Sequence, residues 1–130
     1  MSSCGLWLAK RRLVAVLAAP GGEARRTIRA ALTDDARYGL LEYLAQAGCE
    51  IVATEALARA DLLPAQAARR VLTVWTIDDG FVSALVRATA TREPTRAAAI
   101  LARLPAIPLL RASLRRLAPP GAVVQQLSLL

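Results

Sequence analysis

The order in which short apolar runs, turn residues and capped helical stretches follow one another constrains this 130-residue chain more than any single residue does. Residues 5–9 and 13–19 are two apolar runs of strand character with Lys10-Arg11-Arg12 between them, which predicts a hairpin. Pro20-Gly21-Gly22 is a strong turn signal. Residues 23–30 then alternate imperfectly around Thr27 and Ile28, as expected of an edge strand whose arginines discourage further pairing. Thr33-Asp34-Asp35 supplies an N-cap and negative charge for a helix to about residue 47. Leu40, Leu41, Leu44 and Ala47 form its apolar stripe, and Gly48 ends it. Residues 49–54 read as a compact buried strand with Glu55 at its carboxyl end. A helix from Asp61 to Arg70 tolerates Pro64 only in its first turn, and residues 71–76 read as another buried strand. Asp78 or Asp79 can cap the next helix, which carries Phe81, Val82, Leu85 and Val86 on one face. Residues 96–104 and 108–117 are two further amphipathic helices, the second stopped by Pro119-Pro120-Gly121. The tail 122–130 is apolar and weakly patterned, so it is expected to be ordered only if it docks.

The predicted order β-β-β-α-β-α-β is that of an α/β fold with a mixed five-stranded sheet covered by helices. Right-handed crossovers put strand four beside strand one, giving the order 3-2-1-4-5 with strand 2 antiparallel. This is the RNase H-like arrangement. The length suits one domain. Residues 1–104 form it, and 105–130 add a C-terminal helix and tail to the same unit or serve as an oligomerisation element. Cys4 and Cys49 then start two parallel neighbours and should lie on the same side of the molecule. Two cysteines without metal-ligand spacing read as small buried thiols in a reducing cytoplasm.

Composition excludes several function classes. The chain has no histidine, which removes Ser-His-Asp and Cys-His catalysis, imidazole metal sites and histidine pH switching. The apolar run at residues 13–20 is far too short to span a bilayer, which takes roughly 18–20 residues. A signal peptide fits poorly, because Leu6-Trp7-Leu8 lies on the wrong side of the bases; a cytoplasmic protein without a membrane partner is expected. Seventeen basic residues against ten acidic give a net charge of +7, the balance of many nucleic-acid proteins. Every base except Lys10 is arginine, and Arg-, Ala- and Leu-rich chains also follow from a GC-rich genome, so the charge alone decides little. There is no Gly-x-Gly-x-x-Gly and no Walker loop to bind a nucleotide.

Three collinear stretches carry a family resemblance. Gly5-Leu6-Trp7-Leu8-Ala9-Lys10, leading into a second strand, resembles the Gly-Ile-Asp-Val-Ala-Lys opening of the DEDD-type bacterial insertion-sequence transposases, whose amino-terminal domain is RuvC-like and RNase H-like. Ile51-Val52-Ala53-Thr54-Glu55-Ala56 resembles that family's Val-x-x-Glu-Ala. Glu93-Pro94-Thr95-Arg96-Ala97-Ala98-Ala99-Ile100-Leu101-Ala102 resembles its Lys-Thr-Asp-Arg-x-Asp-Ala-x-x-Leu-Ala helix. The matches span roughly residues 5–104. The resemblance implies four carboxylates gathered at the sheet end around divalent metal ions, since hard cations take oxygen ligands and two-metal phosphoryl chemistry clamps both attacking and leaving oxygens. In this chain those positions are Trp7, Glu55, Thr95 and Ala98, so one carboxylate remains. Family members continue into a helical segment and a second domain with a nucleophilic serine; the sequence in hand ends at Leu130, and Ser113 and Ser128 read as ordinary serines.

The expectation is a non-catalytic, transposase-derived RNase H-like domain, a degenerate and truncated relative that serves as a binding or assembly module without a cofactor. Nucleic acid is a candidate partner, with Arg11, Arg12, Arg25, Arg26, Arg69 and Arg70 as candidate phosphate contacts. The amphipathic helices and apolar tail favour a homodimer. Two alternatives stay open. One is a nuclease that holds Mg2+ with Glu55 and Asp61, Asp78 or Asp79. The other is a small regulatory or ligand-binding protein using the groove over Trp7.

Overall fold

A computed structural model describes residues 2–55 and 72–116 of the chain. The charged triplet at 10–12 turns the chain between β1 (Ser2–Leu8) and β2 (Arg12–Ala18), which pair antiparallel with Cys4 opposite Leu17 and Trp7 opposite Val14. The Ala9 N–H donates to the Arg12 carbonyl at 2.9 Å and closes the turn. A second tight turn uses Gly22 at φ 93°, a left-handed conformation glycine adopts without penalty, and leads into β3 (Ala24–Ala31) at the sheet edge. Thr33 caps α1 (Asp34–Gln46), its Oγ1 accepting from the Ala36 N–H at 3.2 Å. Gly48, at φ 79°, releases the chain into β4 (Cys49–Thr54). β4 runs parallel to β1 with Val52 opposite Cys4, and β5 (Thr73–Ile77) runs parallel to β4 with Val74 opposite Val52. The Asp79 carboxylate caps α2 (Gly80–Arg92) by accepting from the Val82 N–H at 3.0 Å. Pro94 starts α3 (Pro94–Arg103), which passes through the 3-10 turn Leu104–Ala106.

The chain has the expected strand order and one strand more. The sheet runs β3-β2-β1-β4-β5-β6, and β6 (Leu114–Arg116) pairs antiparallel with β5, Leu114 opposite Ile77. The helix expected over 108–117 is a correction: α4 is a single turn, Pro108–Arg111, and the next three-residue stretch is strand. Leu109, Leu110 and Leu114 do have helical spacing, yet Leu114 gains more by packing with Val86, Leu101 and Leu104 while its backbone completes the edge of β5. The Asp61–Arg70 helix and the tail 122–130 lie outside the described residues. Among the described residues no helix is long and apolar enough to cross a membrane.

Strand alternation divides the core in two. Cys4, Leu6, Leu13, Ala15, Val52 and Val74 face α1 and meet Leu40, Leu41 and Leu44. On the opposite face, Val14, Val16 and Ala18 lie under Ala98 and Ala102 of α3, and Ala53 lies with Val86 and Ala90 of α2. Cys4 and Cys49 share the α1-side core, as the parallel pairing of their strands requires. Both thiols are free and buried, and burial pushes the Cys49 thiol up from 9.0 to about 11. The folded protein therefore keeps a proton that the unfolded chain gives up above pH 9. Stability is expected to be constant through neutral pH and to fall as pH rises from 9 toward 11, measured by urea unfolding across that range. Flat stability across it would contradict the burial.

Candidate functional site

The carboxyl ends of β1 and β4 are neighbours, since Leu6 stands opposite Thr54. One residue further along each strand come Trp7 and Glu55, two of the four positions at which the family resemblance places metal ligands. Trp7 is half-buried and packs against both parts of the helix-covered core on the α3 side, which contain Ala97, Ala98 and Leu101. Ala98 itself is fully buried. α3 can lie this close because Gly5 has no side chain: a Cβ there would stand 1.8 Å from the Ala98 carbonyl oxygen and 2.5 Å from the Ala102 nitrogen. Ser3 adds a hydrogen bond from its Oγ to the Ala102 carbonyl at 2.6 Å. Thr95, in the first turn of α3, accepts at Oγ1 from the Arg29 guanidinium at 3.2 Å.

Glu55 is only 4% exposed. A carboxylate taken out of water needs a partner, and Arg87 of α2 donates to its Oε1 at 2.5 Å. The carboxylate at this position is thus arginine-paired, and buried rather than solvated. Arg87 is itself 60% exposed, so water weakens the pair's mutual attraction. Its loss acts mainly by leaving Glu55 a poorer set of donors. Arg87→Met, which keeps the aliphatic stem, is expected to cost about 2 kcal/mol in urea unfolding. A neutral result would mean the remaining surroundings of Glu55 satisfy it alone.

These positions do not fit a pair of divalent cations. An indole, a methyl group and a hydroxyl already engaged by arginine stand at three of the positions where the resemblance would put oxygen donors, and the carboxylate at the fourth is held by a guanidinium. Among the described residues no three aspartate, glutamate or cysteine side chains converge. Of the acids that sequence offered as substitutes, Asp79 is occupied as the α2 cap. The Asp78 backbone N–H donates to Ser113 at 2.7 Å, and Asp61 lies outside the described residues. Ser113 donates its own hydroxyl to the Leu110 carbonyl at 2.5 Å, the role of a turn residue.

Beside this filled end is a groove of about 550 Å³ lined by Ala9, Val14, Pro94 and Thr95 and by four cations, Lys10, Arg11, Arg12 and Arg29. All four cations are exposed. The hairpin turn supplies three of them, and register supplies the fourth, because Arg29 stands opposite Val14 on β3. No described acidic residue lines the groove. Sequence reasoning named Arg11 and Arg12 but not Lys10 or Arg29 for this role. Arg26 points to the other face of the sheet, donating to the Tyr43 hydroxyl at 2.7 Å with its guanidinium 5.2 Å from the ring centre. Arg25 is exposed on β3 outside the groove lining. Arg69 and Arg70 lie outside the described residues.

No protein-family model matches the chain, and no curated protein does. Solved structures do. A structure described as "T. thermophilus RuvC in complex with Holliday junction substrate" aligns with a TM-score of 0.60 at 16% identity over 90% of this chain and 99% of that one. At such identity the likeness is one of fold, and with the strand order it makes this an RNase H-like fold.

Proposed function

We propose that the chain is a non-catalytic RNase H-like module, derived from an insertion-sequence transposase, that contacts nucleic acid through its phosphate backbone and needs no metal. The observation that carries this reading is the side-by-side placement of two things: a sheet end packed with Trp7 and Ala98, and a groove ringed by Lys10, Arg11, Arg12 and Arg29. Cations on a sheet face and hairpin turn recognise phosphates by charge, and they carry no information about base sequence. The fold likeness to a protein solved with a Holliday junction substrate supports a nucleic-acid partner. The chain has five aromatic residues, and none lines the groove, so base stacking plays little part and shape and charge dominate.

The test is a salt-titrated binding assay with single- and double-stranded DNA and RNA, run with and without Mg2+ or Mn2+. Binding that weakens steeply with salt, ignores sequence and proceeds without cleavage is expected. Absence of binding at low salt overturns the nucleic-acid reading. Metal-dependent cleavage that disappears in Glu55→Gln overturns the non-catalytic reading and establishes the nuclease instead.

A further inference from the structure

The solvent side of α2 has a feature that neither the sheet end nor the basic groove explains. Phe81, Leu85, Ala88 and Arg92 are spaced by four, three and four residues, the interval that keeps side chains in line along a helix seam. All four are exposed, Phe81 at 73% and Leu85 at 54%. The helix already buries its opposite side, with Val86 and Ala90 in the core. α2 is therefore apolar on two faces, and only one of them has a use within the chain.

The same surface contains a recess to match. A groove of about 490 Å³ runs between α2 and α3, lined by Leu85, Ala88, Thr89, Arg92, Glu93 and Arg96. Its apolar end is at Leu85, and its polar end has Arg92 beside the Glu93–Arg96 ion pair at 3.5 Å. A projecting ring and a recess on one patch satisfy the condition for a two-fold contact, in which each copy offers both halves. In an antiparallel pair of α2 helices centred between Leu85 and Ala88, position 81 of one copy meets position 92 of the other, and 85 meets 88. Each Phe81 then enters the other copy's groove under Arg92, a favourable place for an aromatic face beside a guanidinium. The ends are complementary in charge as well. Asp78 and Asp79 precede the helix and Arg92 closes it, so an antiparallel partner brings acid to base at both ends, whereas a parallel one brings like to like.

We propose that α2 is the interface of a homodimer, two copies pairing antiparallel through Phe81, Leu85 and Ala88 with Arg92 of each near the amino end of the other helix. A seam of one 13-residue helix is small, so the association is a reversible, concentration-dependent one. The inference is independent of the nucleic-acid reading, because the two surfaces share no residue.

Sedimentation velocity of the full chain over a concentration series tests it. A concentration-dependent monomer–dimer equilibrium is expected, weakened at least about tenfold by Leu85→Glu and by Phe81→Glu, with circular dichroism unchanged because both side chains lie outside the core. Arg92→Glu is expected to weaken the dimer, and Asp78→Arg added to it to restore association. A monomer at every concentration overturns the proposal, as does a dimer that Leu85→Glu leaves intact. Failure of the charge swap to restore association overturns the antiparallel pairing.

Discussion

Gly5→Ala is expected to cost the fold about 3 kcal/mol, the upper end of what an added methyl group exacts from a packed core, seen as a lower urea midpoint at unchanged slope. The size follows from what the methyl meets. The obstacle is the backbone of α3 at two points, Ala98 oxygen at 1.8 Å and Ala102 nitrogen at 2.5 Å, and neither can rotate away as a side-chain tip would. α3 must lift, which separates Ala98 and Ala102 from Val14, Val16 and Ala18 and breaks the Ser3 bond to Ala102. A domain of this size has about 5–15 kcal/mol in total, so a loss of this order thins the native population severely. Gly21→Ala is the internal control. Nothing lies within 4 Å of a Cβ there, and its backbone is not left-handed, so stability should stay level or rise by a few tenths of a kcal/mol. If Gly5→Ala proves as harmless as Gly21→Ala, α3 does not rest on β1 as described.

The same contact explains what could be read from the sequence and what could not. Turn chemistry at Pro20-Gly21-Gly22 and caps at Thr33 and Asp79 are local, so the element boundaries they set were legible to within a few residues. The order of β1 to β5 was legible because crossover handedness leaves few arrangements. β6 was not: three residues carry no period of their own, and Leu114 becomes strand through pairing with Ile77, far away in sequence. The groove shows the same limit. Arg26 and Arg29 are equivalent in the sequence, both arginines of one strand. They differ by an odd number of residues, so the pleat sends Arg26 to Tyr43 on the α1 side and Arg29 toward Thr95 on the other. The charge pattern gives the parity, and only the packing of the two helices gives each side its meaning. Glu55 at the end of β4 could be singled out in the sequence, while its partner Arg87 comes from α2, thirty-two residues on, and no spacing rule announces it.

That parity makes a sharp prediction for binding. In Arg11→Ala/Arg12→Ala/Arg29→Ala, three of the four groove cations are lost from exposed positions, so the fold should persist. Each phosphate contact releases condensed counterion, and the slope of log affinity against log salt is about −0.9 per contact on duplex DNA. The triple variant should therefore show a slope shallower by about 3, with weakening that is uniform across sequences because phosphates look alike. Single strands, whose counterions are less condensed, should lose about 2 in slope, at about −0.7 per contact. Arg26→Ala supplies the comparison. Like Arg29→Ala alone, it removes one charge from β3, so any effect of overall net charge from a single lost arginine appears in it too. A guanidinium engaged with Tyr43 on the α1 face should leave the slope within experimental error of the parent. The difference between Arg26→Ala and Arg29→Ala as single variants then isolates position from charge. A shallower slope in Arg26→Ala, with none in Arg29→Ala, would put the phosphate path across the α1 face and remove the groove from the reading.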